Sequence, residues 1–414
     1  LKLIYSISVN IYVWGIHLAS LFNTKARLWV QGRKNFFAKN KITSLHFNTS
    51  TNIWFHCASL GEFEMARPLM EELKKRNSSV KIILTFFSPS GYEIRKNYPL
   101  ADLVCYLPKD SAVNAKKFIC AIQPKAAFFA KYEYWYFYLR ELKSNNIPCY
   151  LISAVFNPNQ VFFKWYGGFF RNILKLFRGI YVVNSNSQTQ LRQIGINSTI
   201  AGDTRFDRVI ENAANRKHIA HIETFKQNQL LIVAGSSWHT EEEILAKYLV
   251  KHPHLKLVLA PHDISEKHIQ EIEKLFSFSK TLRYSMVNDK NVADATVLII
   301  DNIGLLSSLY YYADICIVGG GFRGSLHNIL EALVYAKPVL FGDKFKPKFT
   351  EAYEALHKQC AFAFSDLFEL QKIIDNLLSD KQYYAATSKA ASEYIAANTG
   401  ASKLIFSETL EKYC

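Results

Sequence analysis

Gly319-Gly320-Gly321-Phe322-Arg323-Gly324-Ser325-Leu326-His327-Asn328-Ile329-Leu330-Glu331 follows the apolar run 315–318 and reads as a buried strand, a glycine turn and a helix. Consecutive glycines let the backbone turn sharply and approach a ligand, and Ser325 is placed to cap a helix whose free N–H groups point into that turn. Leu326, Ile329, Leu330 and Leu333 have the spacing of a core-facing stripe, while His327, Asn328 and Glu331 share another face. A phosphate at the helix start and a ribose hydroxyl held by Glu331 would use these groups together. The alternative is a tight turn without a ligand.

The surrounding sequence repeats the pattern. Strand-like runs at 230–234, 255–260, 297–300 and 337–342 flank the glycine motif, with helices at 302–312, 365–378 and 381–397. Gly235-Ser236-Ser237-Trp238 ends the first run and opens a glutamate-rich helix, a second N-terminal anion site, and the second run leads into Pro261-His262-Asp263. Nearer the start of the chain, runs at 53–57, 80–86, 103–106, 126–129, 149–152 and 180–183 alternate with helical patterns, the rhythm of a parallel sheet covered by helices. The first crossing, His56-Cys57-Ala58-Ser59-Leu60-Gly61-Glu62, puts Glu62 at a strand's carboxyl end, where open α/β sheets place their sites. Its structural alternative is a favourable charge in a helix's first turn. The loops 85–93 and 131–135 converge on the same rim. Between 202 and 229 the apolar rhythm lapses, which predicts a linker. The domains expected are 1–41 (anchor and basic segment), 42–205, a linker at 206–229, and 230–414.

The 414 residues suffice for two domains, and 49% apolar content excludes extensive disorder. Lys and Arg exceed Asp and Glu by 50 to 35, a net charge of +15 that calls for an anionic partner. The seven cysteines are dispersed in apolar runs without paired spacing, which excludes a zinc site, a redox motif or a disulfide framework.

Residues 3–23 carry no charged side chain, although Ser6, Ser8, Asn10, His17 and Ser20 dilute them. A membrane span, a helix lying in the interface and a buried amphipathic helix are all compatible with this. Lys25, Arg27, Arg33, Lys34, Lys39 and Lys41 follow, so the positive-inside bias puts the rest of the chain in the cytoplasm. From Phe162 to Arg178 aromatics and cations interleave, suiting either a membrane interface or a partly buried aromatic helix whose cations snorkel.

Several motifs together resemble the 3-deoxy-D-manno-octulosonic acid (Kdo) transferases of Gram-negative bacteria. They are Ala58-Ser59-Leu60-Gly61-Glu62-Phe63-Glu64, Thr85-Phe86-Phe87-Ser88-Pro89-Ser90-Gly91-Tyr92, Gly202-Asp203-Thr204-Arg205-Phe206-Asp207-Arg208, Gly319-Gly320-Gly321-Phe322 with His327-Asn328-Ile329-Leu330-Glu331, and Lys337-Pro338. The resemblance implies a two-Rossmann-lobe (GT-B type) α/β glycosyltransferase with a membrane-associated N-terminal helix and its site in the cleft between the lobes. It implies inverting transfer of Kdo from CMP-Kdo to a lipid A precursor at the cytoplasmic face of the inner membrane, with no metal or cofactor and no nucleic acid. Carried over, Glu62 becomes the general base, Asn328 and the helix start at Ser325 meet the CMP phosphate, and Glu331 meets the ribose. Gly235, Ser236, Ser237, His262, Gly320, Gly321 and His327 complete the donor side. Ser59, Gly61, Ser88, Lys131 and Glu133 are candidate sugar or acceptor contacts, and Arg205 is the candidate for the Kdo carboxylate, with a salt bridge as its alternative. Two positions depart from the family pattern: Pro261-His262-Asp263 replaces Pro-Arg-His, and Lys131 takes the first acidic position of Glu-x-Glu-x-Trp-Pro. The rival readings are a soluble sugar-nucleotide epimerase of the same fold and a non-catalytic basic nucleic-acid-binding protein. Neither explains both residues 3–23 and anion sites that fall on strand ends.

Overall fold

Asn52-Ile53-Trp54-Phe55-His56-Cys57 lacks polar alternation, the mark of a strand covered on both faces, and forms β1 (Asn52–Cys57), buried along its length. The computed structural model describes residues 2–40, 51–347 and 349–414; Lys41 and the expected boundary at 41/42 lie outside the described residues. β2 (Lys81–Phe86), β3 (Leu103–Tyr106), β4 (Ala126–Ala130), β5 (Cys149–Ala154), β6 (Gly179–Val182) and β7 (Thr199–Ile200) complete a parallel sheet of order β3-β2-β1-β4-β5-β6-β7. A second parallel sheet runs β10-β11-β9-β8-β12-β13-β14, from β8 (Leu231–Ser237), β9 (Lys256–Pro261), β10 (Thr281–Arg283), β11 (Val297–Ile299), β12 (Ile315–Val318), β13 (Val339–Gly342) and β14 (Ala361–Phe364). The two-lobed α/β fold read from the sequence is therefore present. The strands it missed, β7, β10 and β14, are edge strands of two to four residues, too short to show a period.

The chain divides into two compact units, Leu1–Arg208 with Thr399–Cys414, and Val209–Asn398. Two expectations need correcting. The stretch 206–229 is not a bare linker, since helices Thr204–Ala214 and Ile222–Lys226 occupy most of it; the division falls inside the first. The second domain does not run to the end of the chain either. Ile405, Phe406 and Leu410 are buried in unit 1 with Leu69, Met70 and Leu73, because helix Ala401–Thr409 lays an apolar face on helix Leu60–Arg76. Among the cysteines, Cys120 and Cys414 are exposed and the other five are buried, all with free thiols.

The N-terminal segment forms helix Lys2–Ala19, none of whose residues is fully buried. No helix among the described residues is long and apolar enough to cross a membrane. One side of the helix is nevertheless seated on unit 1. Tyr5 donates to Asp110 at 2.6 Å, and its ring packs on Tyr136, Phe137 and Phe169. Tyr12 stacks on Phe87. Arg33, counted among the juxtamembrane cations, is structural. Its guanidinium lies 3.8 Å from the Trp29 ring centroid and donates to the carbonyls of Phe87 and Leu107, each at 2.8 Å.

Candidate active site

Near the middle of each sheet the order of the strands reverses, between β1 and β4 in unit 1 and between β8 and β12 in unit 2. Loops leaving the carboxyl ends there diverge, which is where open α/β sheets bind ligands. The motifs of interest sit at these two points.

In unit 1, Ser59 follows β1 in extended geometry and caps helix Leu60–Arg76. Its Oγ accepts from the Gly61 N–H at 3.3 Å and donates to Glu62 Oε2. Glu62 thus stands in the first turn, among free helix N–H groups that favour a carboxylate. Its Oε1 has no hydrogen-bond partner among the described residues. The other acids of this rim are committed: Glu64 to Arg95 at 2.9 Å, Glu93 to Lys96 at 3.1 Å and Glu133 to His56 at 2.8 Å. A Cβ on Gly61 would meet nothing nearer than Ser59 Oγ at 3.8 Å, so packing does not demand the glycine, and bare backbone lies beside Glu62.

Behind this edge lies a buried polar network. Parallel register sets His56 beside Thr85, and His56 Nδ1 lies 2.8 Å from Thr85 Oγ1 while Nε2 lies 2.8 Å from Glu133. The Trp135 indole N–H donates to Glu133 at 2.5 Å. Glu133 is only 6% exposed, so its expected direct sugar contact gives way to an internal role: a buried histidine at the end of β1 requires a partner, and Glu133 supplies it. Lys131 remains half-buried at a left-handed backbone position, φ +65°, and Ser88 caps helix Pro89–Arg95 by accepting from the Ser90 N–H at 3.3 Å.

Arg205 does not fit the role of carboxylate reader. Its Nε and Nη2 grip Asp203 at 2.9 and 2.7 Å, so the salt-bridge alternative is the one realised. Burial alone would raise the Asp203 pKa; the Arg205 charge and hydrogen bonds outweigh it and hold the group below the usual carboxylate range. The pair anchors the turn into helix Thr204–Ala214.

In unit 2 the glycine motif departs from its sequence reading. The turn Gly321–Arg323 is a single 3-10 turn, residues 325–328 are irregular, and the helix is confined to Leu330–Leu333. Ser325 therefore caps no helix. The apolar stripe is buried as expected, because Leu326, Ile329, Leu330 and Leu333 still face the core, and it is Asn328 that accepts from the Leu330 N–H at 3.2 Å. The Asn328 amide also donates to Glu331 at 3.1 Å. Gly320 has φ +87°, and a Cβ on Gly319 would lie 2.1 Å from the Ser236 carbonyl oxygen, so these glycines serve the packing of β12 against β8. Strand β8 continues through Ser237 and Trp238 is the N-cap of helix His239–Lys251, so Gly235-Ser236-Ser237-Trp238 ends the strand and opens the glutamate-rich helix as expected. Ser237 Oγ donates to Glu242 at 2.9 Å. The Gly320 N–H donates at 2.8 Å to the buried Glu241 carboxylate, whose pKa burial raises. Beside them His262 stacks on Trp238, with centroids 4.4 Å apart, and meets His327 at 4.7 Å. Burial lowers the His262 pKa, and burial together with the neighbouring His262 pushes His327 down to about 4.

The family model described as 3-deoxy-D-manno-octulosonic-acid transferase matches residues 30–208. A Kdo transferase of Haemophilus influenzae is 24% identical over 84% of this chain and 84% of its own, and one of Aquifex aeolicus is 28% identical over 86% and 93%. The chain is thus similar to Kdo transferases along most of its length. Among solved structures, the UDP-GlcNAc 2-epimerase of Neisseria meningitidis bound to UDP-GlcNAc aligns over 87% of this chain and all of its own, with TM-score 0.60 and 17% identity. That likeness shows the fold alone.

Of the expected site residues, Glu62, Ser59 and Gly61 come together at β1, and the structure gathers Gly235, Ser236, Ser237, His262, Gly320 and His327 around the end of β8. Gly321 packs against Gly342 instead, at the end of β13. The sequence reading gave no role to His56, Thr85, Trp238, Glu241 or Arg323. His56, Thr85, Trp238 and Arg323 lie within the quoted motifs and Glu241 beside one, but only the sheet register, ring stacking and a long-range hydrogen bond reveal their partners.

Proposed function

We infer that the protein is an inverting glycosyltransferase that moves Kdo from CMP-Kdo to a lipid A precursor in lipopolysaccharide core biosynthesis. The observation that carries this is kinship with Kdo transferases along both units, together with the retained motifs. Glu62, as carboxylate, takes the proton of an acceptor hydroxyl while that oxygen bonds to the anomeric carbon and the bond to the CMP phosphate breaks on the opposite face, so configuration inverts. The uncommitted Oε1 supports this assignment over Glu64, Glu93 and Glu133. Ser59 holds the other oxygen. On the donor side Glu331 takes the ribose and His262, His327 and Asn328 line the nucleotide.

The acceptor is a lipid, and helix Lys2–Ala19 offers a way to reach it. Ile4, Ile7, Ile11, Trp14 and Leu18 recur at helical spacing and are 47–79% exposed, on a different side from Tyr5 and Tyr12. Such a stripe, with Lys2, Lys25 and Arg27 at its ends, fits a helix lying in the interface at the cytoplasmic face of the inner membrane. Trp165 and Tyr166, both exposed, are a further candidate contact.

Purified protein incubated with labelled CMP-Kdo and a lipid A precursor should yield labelled lipid and CMP. No transfer, with 2-epimerisation of UDP-GlcNAc instead, would replace this reading by an epimerase.

A further inference from the structure

The nucleotide's phosphate needs a counter-charge, and the groups expected to provide it are already engaged. The Gly320 N–H is bonded to Glu241, and the Gly319 N–H donates to the Gly235 carbonyl at 2.9 Å. With its helix confined to Leu330–Leu333, the motif offers no helix start at Ser325. His262 and His327, lowered as described, are neutral near pH 7.

One full positive charge nevertheless sits in this cluster. Arg323 ends the turn Gly321–Arg323, which is bracketed by left-handed glycines at Gly320 (φ +87°) and Gly324 (φ +68°). The turn lays the guanidinium 4.4 Å from the Trp238 ring centroid, and Trp238 in turn stacks on His262. The Arg323 side chain has no carboxylate or hydrogen-bond partner among the described residues. A guanidinium held against an aromatic face is pre-oriented, and its N–H fork remains free to take two oxygens of a phosphate.

We propose that Arg323, held on Trp238, is the residue that binds the donor's phosphate in this protein. The proposal rests on the reading of the donor as a cytidine nucleotide. It also explains why the glycine motif ends in Phe-Arg-Gly, since the left-handed glycines aim the arginine at Trp238. Lys346 is the rival cation, because its side chain runs past Gly324, where a Cβ would meet Lys346 Cε at 3.2 Å.

Calorimetric titration of the full chain with CMP and with cytidine separates phosphate from base and ribose. Wild type should bind CMP more tightly than cytidine. Arg323→Ala should lose about 10–100-fold in CMP affinity with cytidine affinity unchanged, and Arg323→Lys should recover part of the loss. Unchanged CMP affinity in a folded Arg323→Ala protein, or loss of the phosphate increment in Lys346→Ala alone, would overturn the proposal while leaving the donor assignment intact. A wild type that binds neither compound would instead overturn the donor assignment, and the proposal with it.

Discussion

The Ser59 hydroxyl donates to the Glu62 carboxylate from the capping position of the same helix. This ties one carboxylate oxygen to the helix start and leaves Oε1 without a partner among the described residues. The arrangement serves both a helix cap and a base, so chemistry and stability must be measured separately.

If Glu62 is the base, Glu62→Gln keeps the shape and removes the proton acceptor. Turnover should fall by about 10²–10⁴-fold while CMP binding persists. A role confined to the helix end predicts a cost of only about 0.3–1 kcal/mol in stability and near-normal turnover. Glu64→Gln is the control, because Glu64 shares the helix end but is engaged by Arg95 and Arg67.

Glu331→Ala should weaken CMP binding by about 1.5–3 kcal/mol if its carboxylate accepts from ribose hydroxyls. Because Asn328 already holds Glu331, Asn328→Ala should weaken binding in the same direction by a smaller amount. Calorimetry showing unchanged CMP affinity in Glu331→Ala would return the residue to an ordinary place on the surface of unit 2.

What could be read from the sequence follows the range of the forces involved. Strands buried on both faces announce themselves as apolar runs, so the long strands β1, β2, β5, β8 and β9 were legible. The glycine motif misled because its apolar spacing, Leu326, Ile329, Leu330 and Leu333, is met by burial without a continuous helix. The commitment of Arg205 to Asp203 was legible as an alternative, since the two residues lie close in sequence. His56–Glu133 and Trp238–Arg323 were not, because their partners are 77 and 85 residues apart and only sheet register or loop path joins them.

Deleting residues 2–23 should release the protein from membrane fractions, if the exposed stripe of the N-terminal helix is the attachment. Trp14→Asp should reduce binding to anionic vesicles without unfolding the protein, since Trp14 is 79% exposed. A truncated protein still fully membrane-bound in a flotation assay would shift the attachment to Trp165 and Tyr166.

The seat of that helix should respond to pH. Asp110 is buried where it accepts from Tyr5 and from the N–H groups of Phe137 and Tyr138, and burial pushes its pKa from 3.8 up to about 6 despite those bonds. A carboxyl whose folded pKa lies above its unfolded value binds more protons when folded. Its contribution is therefore most favourable below about pH 4 and is lost as pH rises through 6. Asp110→Asn cannot titrate, so the Tm of wild type minus that of the variant should fall between pH 4 and pH 7 and stay flat above. Each kcal/mol lost should move Tm by about 2–4 °C. Tyr5→Phe removes a donor that favours the ionised form, so it should steepen the dependence. A wild-type-minus-variant gap that does not change between pH 4 and pH 7 would mean that Asp110 titrates alike in the folded and unfolded chains.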